Sequence, residues 1–544
     1  MPFLPPGVSR RDFDACIALF QEAVGRDWVF TSDEDLGPYR DPYSTSWGEP
    51  EEIRASAAVS PTTVEQVQAI VRAANRYKVP LFPIATGKNF AYGGAAPNMT
   101  GTVVVDLKRM NKVLDVDAER YTALVEPGVS YFDLYRHIQD RGLKVWIDNP
   151  SPGWGSPMGN ALDHGIGHTF GPYRDHFGSH CGIEAVLPNG EVLRTGMGAM
   201  PNAGSWQDYR YGYGPDVAGL FCQANFGIVT KMGFWLYPQP ESYRSGYVTV
   251  PKRQDLHGLV KAIDYLEHSL LIGEPIYGSP LRRAVAKSPG LRDLVFKRGG
   301  ASDAELDKAA SDENLDMWSV ELQFYGPETT TQANWEYAKA KISAYVPNAK
   351  FFGGESLKTP MSRETLDANS RVQRRQSQGV PDLTMWAILT RTEANPDPSR
   401  DGHIGFSAVI PRTAEEVFKA QRVFCDVAYD LKTPKTVNAL TTPATWYQRA
   451  FIMISLLPTW RTKPELNKNT REAMMKLVDV AAEHGWAEYR GPPLFQDAIS
   501  SAYSFNDHAL RRFNETMKDA VDPNGVLAPG RGGIWPQRFR KARP

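Results

Sequence analysis

Cysteine is scarce in this chain of 544 residues: there are four, Cys16, Cys181, Cys222 and Cys425. None stands in a CxxC pair. Neither a disulfide framework nor a cysteine zinc site is indicated, and a reducing compartment fits. A surplus of one charge is also missing. Lys plus Arg number 61 and Asp plus Glu 62, which argues against nucleic acid or a membrane surface as partner. The basic run from Arg371 to Arg375 reads as a solvated helix face. No apolar stretch is long enough to span a bilayer. Met1-Pro2-Phe3-Leu4-Pro5-Pro6 lacks a charged start followed by an apolar run, and Lys541-Ala542-Arg543-Pro544 carries no peroxisomal tripeptide. These absences set the expectation of a cytoplasmic protein. No repeat or low-complexity tract is visible.

What is present reads as an ordinary globular protein, with 42% hydrophobic and 23% charged residues. The length exceeds one core and predicts two or more domains. Thr62 and Glu65 have capping-box spacing. They precede one apolar helical face of Val64, Val67, Ile70, Val71 and Ala74. Thr102 to Leu107 predicts a strand. Ile183 to Thr195 predicts a hairpin turning at Asn189-Gly190. Gly227 to Tyr237 predicts a further strand, and Pro238-Gln239-Pro240 breaks the chain after it. Strands are also expected at Trp318 to Phe324 and His403 to Ile410, within a mixed region from about 240 to 490.

The stretch Ala85-Thr86-Gly87-Lys88-Asn89-Phe90-Ala91-Tyr92-Gly93-Gly94 follows a short apolar run, Pro80 to Ile84. Glycine lets backbone N–H groups approach a ligand closely, and such a loop forms a nest for diphosphate oxygens. It is neither a Walker loop nor a Rossmann fingerprint. Read alone, the loop is weak evidence, and an ordinary tight turn is the better reading.

Further motifs lie in order along the chain: Leu4-Pro5-Pro6-Gly7-Val8-Ser9, Glu126-Pro127-Gly128-Val129, Arg194-Thr195-Gly196-Met197-Gly198, Asn225 to Gly233, Val521 to Gly525, and Ala528 to Trp535. With the glycine loop, they resemble the vanillyl-alcohol oxidase and para-cresol methylhydroxylase family of FAD enzymes, and within it the eugenol oxidase-like members. The resemblance covers both ends well and the middle patchily. It implies an α+β, two-domain FAD-binding fold of the vanillyl-alcohol oxidase type, with a cap domain over the flavin. Residues 1–238 and 491–544 would form the FAD-binding domain and 239–490 the cap.

The resemblance also assigns roles. Thr86, Gly87, Lys88, Asn89, Gly159, Asn160, Gly165, Ile166, Gly167, Gly227, Ile228 and Val229 fall at flavin-binding places. His403, in Asp401-Gly402-His403-Ile404-Gly405-Phe406-Ser407, matches the histidine joined covalently to the flavin's 8α methyl; neutral imidazole is a competent nucleophile for that bond. The preceding loop, Thr392 to Arg400, is longer than in the family. Arg531 matches a cation at the flavin's pyrimidine end. Tyr92, Tyr489 and Arg490 match the set that holds a substrate phenol as phenolate: a fixed cation and two hydroxyl donors lower the pKa of a buried phenol. Read without the family, the same three residues are a buried aromatic pair and a surface arginine.

Two departures stand out. Ser151 holds the place where the oxidases carry an aspartate beside the flavin, as in the para-cresol enzymes, and serine cannot serve as a carboxylate base. Lys435 to Tyr447 does not match the family's acidic or His-His segment, so the pocket is remodelled. His168 stands where relatives carry tyrosine and is expected to face the substrate. His164, His168, His176 and His180 invite a metal reading, but the glycines between them break any helix and no HExxH occurs; no metal is expected.

The resemblance therefore implies an FAD-dependent oxidase of para-substituted phenols, working through a quinone methide, reoxidised by oxygen to give hydrogen peroxide. It also implies a homodimer or larger homo-oligomer. The rival is a dehydrogenase passing electrons to a cytochrome partner, favoured by Ser151 and opposed by His403. A silent flavin-binding protein and a metal-dependent hydrolase are the readings from other classes.

Overall fold

The chain builds one mixed sheet first and antiparallel sheets after it. The structure, a computed structural model, describes residues 3–361, 375–383, 400–431, 438–461 and 463–542. The basic run up to Arg374, the loop from Thr392 to residue 399, and residues 435–437 of the remodelled segment lie outside the described residues.

The first sheet orders its strands Val29–Phe30, Ala57–Val59, Val103–Asp106 and Leu81–Ile84. Val103–Asp106 runs parallel to both neighbours and is buried on every residue. That burial on both faces explains its unbroken Val-Val-Val reading. The crossover into Leu81–Ile84 is the expected helix, Val64–Tyr77, whose Val67, Ile70, Val71 and Ala74 are buried. Its cap lies one residue later than the sequence suggests. The Thr63 side chain accepts from Gln66 N, and Gln66 Oε1 reaches back to Thr62 N at 2.7 Å. Thr at both positions made the two registers equivalent on pattern alone.

The second sheet is antiparallel and orders Val113–Asp117, Thr122–Val125, Ile228–Trp235, His180–Val186 and Val192–Arg194. The last two form the expected hairpin, with Gly190 at φ 84° in the turn. Pro238 does not end strand structure: Tyr237–Pro238 pairs with Val145–Trp146, and Ser242–Val250 begins four residues later. A proline at a strand edge costs no ladder bond.

From there the chain forms two further antiparallel sheets. One orders Ile276–Gly278, Trp318–Gly326, Ser242–Val250 and Lys350–Lys358. The other orders Ala444–Tyr447, Ala450–Trp460, Arg400–Pro411 and Ala487–Glu488. One hydrophobic core joins them to the helices Leu256–His268, Glu328–Tyr345, Ala414–Asp430 and Pro464–Glu483. The C-terminal tail then returns to the first sheet. Leu81 N donates to Val526 O and Ala528 N to Leu81 O, each at 2.7 Å, and Val526 and Leu527 enter the core beneath it. Among the described residues, no helix is long and apolar enough to cross a membrane.

Candidate active site

A cavity of about 790 Å³ opens where Leu81–Ile84 gives way to the glycine loop. That lies within the roughly 300–1,000 Å³ of ligand pockets. The loop turns through left-handed backbone at Gly87, Ala91, Gly93 and Gly94. At Gly93, with φ 107°, an added Cβ would lie 2.6 Å from the Pro493 ring. Glycine is therefore required there for backbone and neighbour alike.

Of the residues expected at the cofactor, Thr86, Gly87, Lys88, Asn89, Gly159, Asn160, Ile166, Gly227, Val229, His403 and Arg531 line the cavity. Gly165, Gly167 and Ile228 do not. Ile228 points the opposite way from its strand neighbours, into the core beneath the first sheet. Gly165 and Gly167 leave room for protein groups: a Cβ on either would meet the side chain of Asn160 or of Asp148. His403 sits on Arg400–Pro411, is 4% exposed and packs 5.5 Å from the Tyr43 ring. Gly402 permits this, because a Cβ there would overlap the Tyr43 ring.

Tyr92, Tyr489 and Arg490, distant in sequence, meet in the cavity wall. The Arg490 guanidinium lies 4.0 Å from the Tyr92 ring centroid and 5.3 Å from that of Tyr489. Tyr92 Oη is 3.3 Å from Ser407 Oγ. Among the described residues, neither Tyr489 Oη nor Arg490 Nε has a hydrogen-bond partner. Burial pushes the Tyr489 phenol well above its ordinary value, although Arg490 opposes the shift. Burial works against the Arg490 charge too, but Tyr489, Tyr92 and Asp163 outweigh it and hold its pKa above the usual arginine value. Buried donors without partners are costly, so this end of the cavity is built for an acceptor that is not part of the protein.

Asp163 ties this group to the rest of the wall, and the sequence did not single it out. It accepts from Asn89 Nδ2 at 2.6 Å, pairs with Arg531 Nη2, and stands 3.8 Å from Arg490 Nη1. One carboxylate between two guanidinium groups leaves the wall with a surplus positive charge. Glu488, also missed, accepts from Ser407 N and from Arg490 N. Burial pushes its carboxyl up to about 8 against those two donors.

On another stretch of wall, Ser151 Oγ lies 3.2 Å from His168 Nε2, and His168 Nδ1 lies 2.9 Å from Glu274 Oε2. Asp148 accepts from His168 N and Thr169 N at 2.8 and 2.9 Å and stands 3.3 Å from His176 Nε2. Burial would raise the Asp148 carboxyl, but His176 and Thr169 outweigh it and hold it below the ordinary carboxylate value. The other histidines go elsewhere: His164 packs on Cys222, and His180 bonds the Phe177 carbonyl. Among the described residues, no three His, Cys, Asp or Glu side chains gather as a metal site.

The model of the FAD binding domain family matches residues 55–196. Over 536 residues the chain is 32% identical to the 4-cresol dehydrogenase [hydroxylating] flavoprotein subunit of Pseudomonas putida, covering 98% of this chain and 97% of that one. The chain belongs to the vanillyl-alcohol oxidase and para-cresol methylhydroxylase family. Two solved structures of the family superpose on nearly its whole length. The 4-ethylphenol oxidase from Gulosibacter chungangensis, as its isoeugenol complex, gives a TM-score of 0.84 at 32% identity, covering 99% of this chain and all (100%) of that one. The p-cresol methylhydroxylase with substrate bound gives 0.81 at 31%, covering 98% and 99%. As a member of this family the chain is an FAD-dependent oxidoreductase with the family's mixed helix-and-sheet fold. The cavity suits that cofactor: it is large, one wall is the glycine turn, and Arg531 supplies a cation.

Proposed function

We propose that this flavoenzyme oxidises para-substituted phenols, either 4-alkylphenols or 4-hydroxybenzylic and allylic alcohols, at the benzylic carbon through a quinone methide. The observation that carries the reading is the meeting of Tyr92, Tyr489 and Arg490 with unpartnered donors in one wall. Tyr489 Oη and the guanidinium hold the substrate oxygen as phenolate. The wall's surplus positive charge lowers the phenol's pKa. Phenolate pushes electron density to the para position and weakens the benzylic C–H bond. When bound, FAD accepts the hydride released there.

Thr86 to Asn89, Gly159, Asn160, Ile166, Gly227 and Val229 hold the cofactor, with Arg531 at its pyrimidine end and His403 bonded to the 8α methyl. Gly165, Gly167 and Ile228 act behind them, by packing. The FAD-binding domain takes residues 1–238 and 491–544, and the cap 239–490. For the flavin bond, acid-precipitated protein should stay yellow, and His403→Ala should release the flavin to the supernatant. A colourless wild-type pellet would refute the bond.

Oxygen is the proposed acceptor, giving hydrogen peroxide. The second reading is a cytochrome acceptor, favoured by Ser151 at the oxidases' aspartate position and by the P. putida relative, which is named a dehydrogenase. With a panel of para-alkylphenols in air, peroxide should form in step with product. Product that appears only with a cytochrome or artificial acceptor would replace oxygen by the second reading. No benzylic oxidation with any acceptor would reject the phenol reading.

A further inference from the structure

The cavity contains a second organised set of side chains that the phenol clamp does not use. Ser151, His168 and Glu274 all line it, and they form one chain from hydroxyl to imidazole to carboxylate, at 3.2 and 2.9 Å. His168 and Glu274 are nearly enclosed, with side chains 8% and 4% exposed. Backbone bonds fix the pair from both sides. His168 N donates to Asp148 Oδ1 at 2.8 Å, and Glu274 N donates to the carbonyl of Thr169 at 3.0 Å.

We propose that His168 is the base that takes a proton from water as it adds to the benzylic carbon, with Glu274 as its positioning residue and Ser151 as the carrier of the proton. This rests on the phenol reading above. A serine hydroxyl alone is far too weak a base, whereas imidazole titrates in the range where general-base catalysis at neutral pH works. The Glu274 carboxylate accepts the Nδ1 hydrogen. This leaves the Nε2 lone pair toward Ser151 and stabilises the imidazolium that forms.

The step balances within itself. The water oxygen bonds to the electron-poor benzylic carbon of the quinone methide, and one water O–H bond breaks. The displaced electron pair moves through the ring to the para oxygen, which returns to phenolate in the care of Tyr92, Tyr489 and Arg490. The water proton passes to Ser151 Oγ as the serine's own proton passes to His168 Nε2. Nothing is oxidised or reduced, and the product is a 4-hydroxybenzylic alcohol. The other ionisable groups near the pair are Asp148 with His176, Tyr325, whose phenol is raised by burial and by Asp148 and Glu274 among others, and Arg282 on the cavity wall. Glu274 is the carboxylate within hydrogen-bond distance of the imidazole ring.

The test is an anaerobic single turnover of the FAD-loaded protein with para-methylphenol, whose quinone methide can leave only by hydration. Flavin bleaching and quinone methide decay are followed separately. His168→Gln should leave bleaching within threefold of wild type and slow the decay at least tenfold, and Ser151→Ala should slow it at least threefold. The isosteric Glu274→Gln tests the positioning role without relying on His168→Gln to fold. Removing a negative charge from Nδ1 should move the pH profile of the decay to lower pH. The NMR titration of the His168 ring, measured without substrate, should move in the same direction. Unchanged decay in His168→Gln, or an unmoved ring titration in Glu274→Gln, would overturn the proposal. No bleaching of wild-type protein by any para-alkylphenol would instead overturn the phenol reading beneath it.

Discussion

Arg490 stands between two tyrosine rings and one carboxylate, and its Nε meets no partner among the described residues. A cation held there acts on whatever charge develops on the substrate. Arg490→Ala should cost about 2–4 kcal/mol of transition-state stabilisation, or roughly 30- to 1,000-fold in kcat/KM. FAD content should stay at the wild-type level. Arg490→Lys should fall between the two, because an ammonium is a point charge without the planar fork. Steady-state kinetics alongside flavin absorbance check this; a loss of activity explained wholly by lost flavin would contradict it. At this scale the sequence revealed Tyr92, Tyr489 and Arg490 only through the motifs around them, since composition and spacing read the same residues as packing. Asp163 and Glu274 were invisible for a physical reason. Each is one acid among 62 Asp and Glu residues, and its partners, Arg531 and His168, lie hundreds or about a hundred residues away. The one available signal for Asp163 was its place between Asn160 and Gly165, inside a segment already assigned to the cavity wall.

The elements that carry these residues differ in how openly they are written. Val64–Tyr77 and the His180–Val186 hairpin follow from periodicity and an Asn-Gly turn, because their stabilising contacts obey a local repeat. Ala450–Trp460 does not: its buried, nearly continuous apolar run fits strand or helix, and its pairing with Arg400–Pro411 decides. The glycine loop needs glycine at particular places, and substitutions should show it. Gly93→Ala places a Cβ 2.6 Å from Pro493 on backbone at φ 107°. It should destabilise the protein by about 1–3 kcal/mol and lower its FAD content. Gly142→Ala is the control, at φ 64° with nothing within 4 Å of the added Cβ. It should cost about 1 kcal/mol and leave FAD content unchanged. Thermal unfolding and flavin absorbance separate the two variants, and equal FAD loss in both would contradict the account.

Across the whole molecule, the cavity exists because the chain returns to its own beginning. The tail at Val526 to Ala528 pairs with Leu81, which sets Arg531 against Asp163, itself bonded to Asn89. The strand Arg400–Pro411 brings His403 and Gly405 to the same wall and sets Ser407 beside Tyr92. Motifs at both ends of the sequence pointed to this closure, but the pairings themselves are non-local and no window of residues encodes them. The central claim is that the substrate reacts as a phenolate held by this wall. Its most direct test is anaerobic mixing of the oxidised protein with a para-alkylphenol and, separately, with the methyl ether of the same compound, while flavin absorbance is followed. The account predicts rapid bleaching by the phenol and none by the ether, which has the same benzylic C–H bonds but cannot ionise. Bleaching by both at comparable rates would contradict it.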